Sequence, residues 1–110
     1  MNALRNKVQL IGHVGQDPEI KTLDGGKKVA NLTIATNDSY KNDKGEKVEQ
    51  TEWHKVVAWG KTAEIIEKYV TKGKEIAIEG KLTHRSYDDK NGEKRYITEV
   101  VANDLLLLGK

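Results

Sequence analysis

The chain has 110 residues, 33% of them charged, with a formal net charge of +2, no cysteine and no phenylalanine. The lack of cysteine excludes disulfides, thiolate catalysis and cysteine-based zinc sites, and so small a net charge identifies no polyanionic partner by itself. Because 26 residues are Val, Ile or Leu and no composition shift divides the chain, we predict one domain over residues 1–110 with a small aliphatic core.

Five segments rich in β-branched residues are predicted as strands. They cover residues 7–14, 28–37, 48–59, 75–84 and 94–102. Three Asp/Asn/Gly clusters, at residues 24–26, 42–45 and 89–92, supply the positive φ that tight turns need. In the second segment Ala30, Leu32 and Ile34 alternate with the residues between them, so we expect these three side chains to share one face.

One segment between the third and fourth strands has helical spacing. Its apolar residues are Ala63, Ile66, Tyr69 and Val70. Thr62 is expected to cap the start of this helix and Gly73 to end it. Three strands, one short helix and two strands predict an all-β fold, a five-stranded OB-fold Greek-key barrel with one short helix between strands 3 and 4. Periodicity alone leaves an α+β sandwich open.

No group of residues forms a convincing catalytic set. Gly60-Lys61-Thr62 resembles the end of a phosphate-binding loop but lacks the glycine that this motif requires five residues earlier. The three histidines stand singly, and the two serines lie beside turns in polar surroundings. We therefore predict no metal, no cofactor and no enzymatic activity.

Both tryptophans lie in the third predicted strand. Because side chains alternate along a strand, Trp53, Lys55, Val57 and Trp59 share one face. Large rings are usually core residues, and that interpretation stays open for this pair. A core face would not readily hold Lys55 between two indoles, however, and Lys61 follows directly.

Two tyrosines extend the aromatic pattern. Tyr40 and Tyr87 each precede a predicted turn, and cations surround Tyr87 at Lys81, Arg85, Lys94 and Arg95. Rings interspersed with cations favour binding of a nucleic-acid single strand, since its exposed bases stack and its phosphates pair with lysine and arginine. Tyr69, on the apolar stripe of the helix, is expected in the core, and Tyr96, within the last strand, is expected to be structural.

Several long strings in the chain resemble the bacterial single-stranded DNA-binding proteins. They are NKV at 6–8, GHVGQDPE at 12–19, VANLTIAT at 29–36, EQTEWHK at 49–55, YVTKG at 69–73, IEG at 78–80 and RYITEV at 95–100. The resemblance covers nearly the whole chain. It implies an OB fold, a homotetramer and binding of single-stranded DNA with little sequence preference in DNA replication, recombination and repair.

The resemblance also implies site residues. The base-stacking rings of the family fall on Tyr40, Trp53, Trp59 and Tyr87. Its phosphate contacts fall on Lys7, Lys55, Lys61, Lys72, Arg85 and Arg95, and a subunit contact falls on His54. The family often has Trp at the positions of Tyr40 and Tyr87 and Phe at that of Trp59, but each of these residues keeps a ring face on which a base can stack.

Members of this family usually continue into a flexible linker and an acidic tip that recruits replication and repair proteins, whereas this sequence stops at Lys110. We expect such partners only if the full-length protein carries that tail. The first residues hold no apolar run of signal-peptide or membrane-span length, so a cytoplasmic location is expected. Two alternatives stay open: a tail-less, dimeric primosome accessory protein of the same fold, and an OB-type nuclease.

Overall fold

The structure, a computed structural model, describes residues 4–108. It contains six strands and one helix in chain order. They are β1 (Val8–Val14), β2 (Glu19–Thr22), β3 (Lys28–Lys41), β4 (Lys47–Trp59), α1 (Gly60–Tyr69), β5 (Glu75–Asp88) and β6 (Lys94–Leu107). No helix in this part of the chain has the length and apolar character needed to cross a membrane.

The five predicted strands form a closed barrel. The sheet runs in the order β1-β5-β6-β4-β3-β2, and a further pairing of β1 with β3 closes it. The pairs are antiparallel except for β4 with β6, which run parallel. The helix lies between the third and fourth barrel strands, β4 and β5. The prediction of an OB-type barrel is therefore confirmed.

The core is aliphatic and is built from alternate residues of the barrel strands and from one side of the helix. Ala30, Leu32 and Ile34 of β3 are buried together as predicted, and Val56 of β4 and Ile66 of α1 join the same cluster. Because each strand contributes every second residue to this core, the residues between them point out of the barrel.

The ends of the helix differ from the prediction. It begins at Gly60 and ends at Tyr69, its N-cap is Trp59 without a side-chain cap hydrogen bond, and the prediction of Thr62 as cap is wrong. Gly60 has a φ of 60°, which lets the chain turn from β4 directly into the helix without a separate capping residue. Gly73 lies beyond the helix, where its N–H donates to the carbonyl of Val14.

Two hairpins extend beyond the predicted strand ends. The β3–β4 hairpin pairs without interruption as far as Lys41 and Lys47, and the β5–β6 hairpin as far as Asp88 and Lys94. Each hairpin turn is held by one side chain, Asn42 or Asp89. The Oδ1 of each accepts two backbone N–H groups of its own turn. These long ribbons enlarge the outer surface of the barrel.

Two tyrosines that were expected to be structural are exposed. Tyr69 is 57% exposed and Tyr96 is 75% exposed. Ala63, Ile66 and Val70 already fill the buried side of the helix, so Tyr69 lies at the margin of that stripe. Tyr96 belongs to the part of the β5–β6 hairpin that extends past the barrel core. The prediction that Tyr69 belongs to the core is therefore wrong, and the ring of Tyr96 takes no part in the core either.

Candidate nucleic-acid interface

The outward side of β4 carries both indoles. Trp53 is 63% exposed and Trp59 is 43% exposed, and Lys55 between them is exposed as well. The alternating residues Val56 and Ala58 are buried in the core. The interpretation of the two tryptophans as core residues is therefore wrong. We call the outward side of β4 and of the strands beside it the aromatic face.

The strand register brings other predicted residues onto the aromatic face. Val57 of β4 lies opposite Val101 of β6, and outward positions on β6 pair with outward positions on β5. In this way Ile97 pairs with Arg85, and Arg95 pairs with Tyr87. A groove on this face is lined by Lys55, Arg85, Ile97 and Glu99 together with residues of β3 and of the segment after β1.

The ring of Trp53 lies against the backbone of Gly15. A Cβ atom added to Gly15 would lie 2.4 Å from Cζ3 of Trp53 and 2.9 Å from Oγ1 of Thr33. Both distances are too short for real contacts, so the missing side chain at Gly15 makes room for the indole. Gly15 thereby fixes where Trp53 stands on the aromatic face.

Gly15→Ala is expected to weaken single-strand binding while the barrel stays folded. The ring of Trp53 is exposed and can move aside, but it then leaves its position on the aromatic face. The loss is bounded by the stacking energy of one base, about 1 to 3 kcal/mol. Isothermal titration with oligo-dT measures it, and unfolding in urea checks the fold. An unchanged affinity would show that the position of the Trp53 ring against Gly15 does not contribute to binding.

The cations predicted to contact phosphates fall into two groups. Arg85 Nε lies 2.8 Å from Glu99 Oε1, Arg95 Nε lies 2.8 Å from Asp89 Oδ2, and Lys7 Nζ lies 3.3 Å from Glu79 Oε1. Within residues 4–108, no ion pair involves Lys55, Lys61 or Lys72. The second group can neutralise a phosphate without first leaving an acidic partner.

The Arg95–Asp89 pair holds the tip of the β5–β6 hairpin. The hydrogen bond from Arg95, with those from the backbone N–H groups of Glu93 and Asn91, lowers the pKa of Asp89 below its ordinary value. A lowered carboxyl pKa stabilises the folded hairpin above the ordinary value of that group, and this contribution is lost as the pH falls through the folded-state pKa. Arg95 is thus partly engaged in the turn that presents Tyr87.

Lys61 and Lys72 lie at the two ends of the helix. Lys61 is exposed in the first turn of α1, two residues after Trp59. Lys72 follows the helix, and its backbone N–H donates to Oδ1 of Asp17 at 2.8 Å. Asp17 also lines the groove on the aromatic face, so this hydrogen bond holds the backbone of Lys72 close to a residue of the groove.

Two predicted residues lie apart from the aromatic face. Tyr40 is exposed, but the unbroken pairing of β3 with β4 places it on the side of the hairpin opposite Trp53. Lys7 pairs with Glu79 of β5, on the part of the wall that also carries Gln9. The structure does not bring these two side chains together with the tryptophans.

His54 lies on the side of β4 away from the tryptophans, as strand alternation predicts. It is half-buried, and its Nε2 lies 3.0 Å from Oγ1 of Thr36, within hydrogen-bonding distance. Among the residues that the structure describes, no group of three or more His, Cys, Asp or Glu could hold a metal ion.

One cation at the interface was missed by sequence reasoning. The Nζ of Lys27 lies 5.6 Å from the centroid of the Trp59 ring, within the range of a cation–π interaction. Lys27 follows two glycines in the turn between β2 and β3, and β2 was not predicted. The lysine itself is visible in the sequence, but its place over the ring depends on that strand.

A closed OB barrel that presents rings and cations on one outer face has the architecture of the oligonucleotide-binding barrels. Residues 5–108 match the model of the single-strand binding protein family. The chain belongs to this family.

The chain is similar to two curated proteins, both called single-stranded DNA-binding protein 1. It is 50% identical over 105 residues to that of Chlorobaculum tepidum, covering 94% of this chain and 65% of the relative. It is 45% identical to that of Xylella fastidiosa, covering 96% of this chain and 78% of the relative. The chain thus spans less than two thirds of the Chlorobaculum protein.

Two solved structures share the fold. The structure described as Plasmodium falciparum SSB complex with ssDNA has a TM-score of 0.89 and 35% identity, covering 99% of this chain and 100% of that one. A deletion mutant of the single-stranded DNA binding protein from Thermus aquaticus has a TM-score of 0.81 and 31% identity, covering 94% of this chain and 50% of that one.

Proposed function

We propose that this chain is a non-enzymatic protein that binds single-stranded DNA with little sequence preference and protects it in replication, recombination and repair. The observation that carries the proposal is the pair of exposed indoles, Trp53 and Trp59, on one outer face with Lys55 between them. The family of the chain supports the same function, since both curated relatives are called single-stranded DNA-binding protein 1.

The chemistry of this face suits a single strand better than a duplex. Each base stacked on Trp53, Trp59 or Tyr87 contributes about 1 to 3 kcal/mol to the binding free energy. Because every base offers a ring face, stacking discriminates little between sequences. Lys55, Lys61, Lys72, Arg85 and Arg95 supply charge for the phosphates. A duplex hides its base faces within its own stack and leaves only the charge term.

Tyr40 and Lys7 extend the proposed path only for a longer strand. Because Tyr40 lies on the reverse side of the β3–β4 hairpin, a strand that stacks on both Tyr40 and Trp53 must pass around the edge of that hairpin. A strand that reaches Lys7 must cross to the β1–β5 wall of the barrel.

Competition binding tests the proposed function. The protein is mixed with fluorescein-labelled oligo-dT, and unlabelled oligo-dT, mixed-sequence single strand or duplex of equal length is added. We expect both single strands to displace the labelled oligonucleotide at similar concentrations and the duplex to displace it only at much higher ones. Binding of the duplex should be weak and should disappear as the salt concentration rises. Equal displacement by duplex would contradict the proposal, and degraded label in the presence of Mg²⁺ would favour the nuclease alternative.

We further propose a homotetramer in which His54 contacts another subunit. Two features support self-association. Ile11 and Leu106 are exposed large apolar side chains on the β1–β5–β6 wall, and within residues 4–108 the stretch 8–12 of β1 pairs with β5 and with no other strand. An unpaired strand edge beside exposed apolar residues is a natural template for a second copy.

Light scattering over a range of concentrations tests this assembly. We expect a mass of about four times that of the 12.3 kDa chain, and His54→Ala is expected to lower it at high dilution. His84→Ala is the matched control, since His84 pairs with Thr98 across β5 and β6 as His54 pairs with Thr36 across β3 and β4. A dimer for the unmodified chain would favour the primosome accessory alternative.

We propose a cytoplasmic location, which the family supports. Recruitment of replication and repair proteins is proposed only for a C-terminal tail in the full-length protein. Testing it requires the full-length gene product, with and without such a tail, in a pull-down against the replication proteins of the same cell.

A further inference from the structure

The end of the aromatic face at Trp59 is unusually rich in lysine. The Nζ of Lys27 lies 5.6 Å from the centroid of the Trp59 ring, and that ring is still 43% exposed. The backbone of Lys27 is fixed, because its carbonyl accepts the N–H of Leu23 at 2.7 Å in the turn between β2 and β3. The ammonium group therefore extends toward the ring from a hydrogen-bonded turn.

A second lysine stands in the same row. Lys21 of β2 pairs with Val29 of β3, and Val29 pairs with Trp59 of β4. Paired residues in a sheet point to the same side, so Lys21 lies on the aromatic face two strands away from the ring. Lys61 follows Trp59 by two residues, so Lys27 lies over the ring and two further lysines lie in its neighbourhood.

The three lysines near Trp59 are not engaged by acidic side chains. Within residues 4–108, no ion pair involves Lys21, Lys27 or Lys61. Glu19 is the acidic residue of β2 on the same side of the strand, and Asp24 lies in the adjoining turn. Glu64 of α1, three residues after Lys61, is a third carboxylate in this region, and within residues 4–108 none of the three carboxylates forms an ion pair with these lysines.

Lys28 shows the contrast with its neighbour Lys27. It lies on the other side of β3, where its Nζ forms an ion pair with Oε1 of Glu67 on α1. That hydrogen bond raises the pKa of Lys28. Two adjacent lysines thus differ in role, since one is paired to the helix and the other stands over an exposed indole.

We propose that the β2–β3 hairpin is part of the DNA path, with Lys21 and Lys27 neutralising the phosphates on either side of the base that stacks on Trp59. Lys27 occupies the ring face in the free protein, and it moves to the neighbouring phosphate when a base takes that face. This inference rests on the proposed function and extends its interface by one hairpin beyond the residues that the family resemblance implies.

The salt dependence of binding tests the proposal. The affinity for oligo-dT is measured between 50 mM and 400 mM NaCl for the unmodified protein and for Lys27→Met, Lys21→Met and the double variant, because methionine keeps an unbranched apolar stem without the charge. Each lysine that contacts a phosphate contributes about 0.7 to the slope of log K against log salt concentration for a single strand. We expect that loss for each single variant and twice that loss for the double variant.

Two further variants make the outcome decisive. Lys28→Met removes the same charge one residue away and should leave the slope unchanged, whereas Lys55→Met should lower it. If Lys55→Met lowers the slope and the hairpin variants do not, this inference is overturned and the proposed function stands. An equal drop for Lys28→Met would also overturn it, because the effect would then reflect overall charge. If the unmodified protein does not bind oligo-dT, the proposed function and this inference fall together.

Urea unfolding of each variant checks the fold. If Lys27→Met or Lys21→Met is destabilised, glutamine at the same position repeats the measurement with a polar side chain. The same slope for glutamine and methionine would show that the lost charge, and not a lost fold, sets the result.

Discussion

Trp53→Ala is expected to weaken oligo-dT binding by about 5- to 150-fold, which corresponds to the about 1 to 3 kcal/mol that one stacked base contributes. The ring is 63% exposed and lies on the backbone of Gly15 instead of in the core. Its removal therefore takes away a binding surface and leaves the barrel interior unchanged. Isothermal titration at fixed salt measures the effect.

Tyr96→Ala is the matched control for Trp53→Ala. Tyr96 is also an exposed ring, at 75%, but it pairs with Ser86 and therefore lies on the side of the β5–β6 hairpin away from Tyr87 and the aromatic face. Its replacement should leave the affinity within about 2-fold, well below the cost of a lost stacking partner. If Trp53→Ala unfolds the protein or leaves the affinity unchanged, the assignment of Trp53 as a stacking ring is wrong.

Ile66→Ala is expected to cause the largest loss of stability of any single change considered. Ile66 is fully buried on α1 and packs into the barrel core with Val56 and Ile34. Truncating a buried Ile to Ala usually costs about 2 to 5 kcal/mol, because the surrounding core cannot close the cavity completely. Urea unfolding followed by circular dichroism measures this free energy.

The adjacent Ile65 provides the control within the same helix. Ile65→Ala deletes the same side-chain atoms as Ile66→Ala, but at a position that is exposed to solvent. It should therefore change the free energy of unfolding by no more than about 0.5 kcal/mol. Equal losses for the two variants would mean that the helix does not plug the barrel through Ile66. Variant Ile66→Ala should still bind oligo-dT under conditions where it is folded.

The barrel strands could be predicted because they alternate between core and solvent. Ala30, Leu32 and Ile34 were expected on one face and are buried together, and the same alternation placed Trp53 and Trp59 opposite Val56. Period-two patterning identifies a face whenever one side of the strand is buried. The exposed position of both tryptophans follows from that pattern and from the lysine between them.

The parts of the fold that were missed have no buried side. Strand β2 is four residues long, and of these only Ile20 is partly buried against the core, so no apolar pattern marks it. The outer halves of the hairpins are held by backbone pairing between exposed residues. Because β2 was not predicted, the position of Lys27 over Trp59 could not be predicted. Because the full β3–β4 register was not known, the sequence could not show that Tyr40 lies on the side of the hairpin opposite Trp53.

The measurement that most directly tests the stacking path is the fluorescence of each tryptophan on its own. Trp53→Phe leaves Trp59 as the single reporter, and Trp59→Phe leaves Trp53. We expect saturating oligo-dT to quench both reporters strongly, while an abasic strand with the same phosphates binds weakly and quenches neither. Unchanged emission of both reporters on saturation with oligo-dT would contradict the account, because the rings would then not contact the bases.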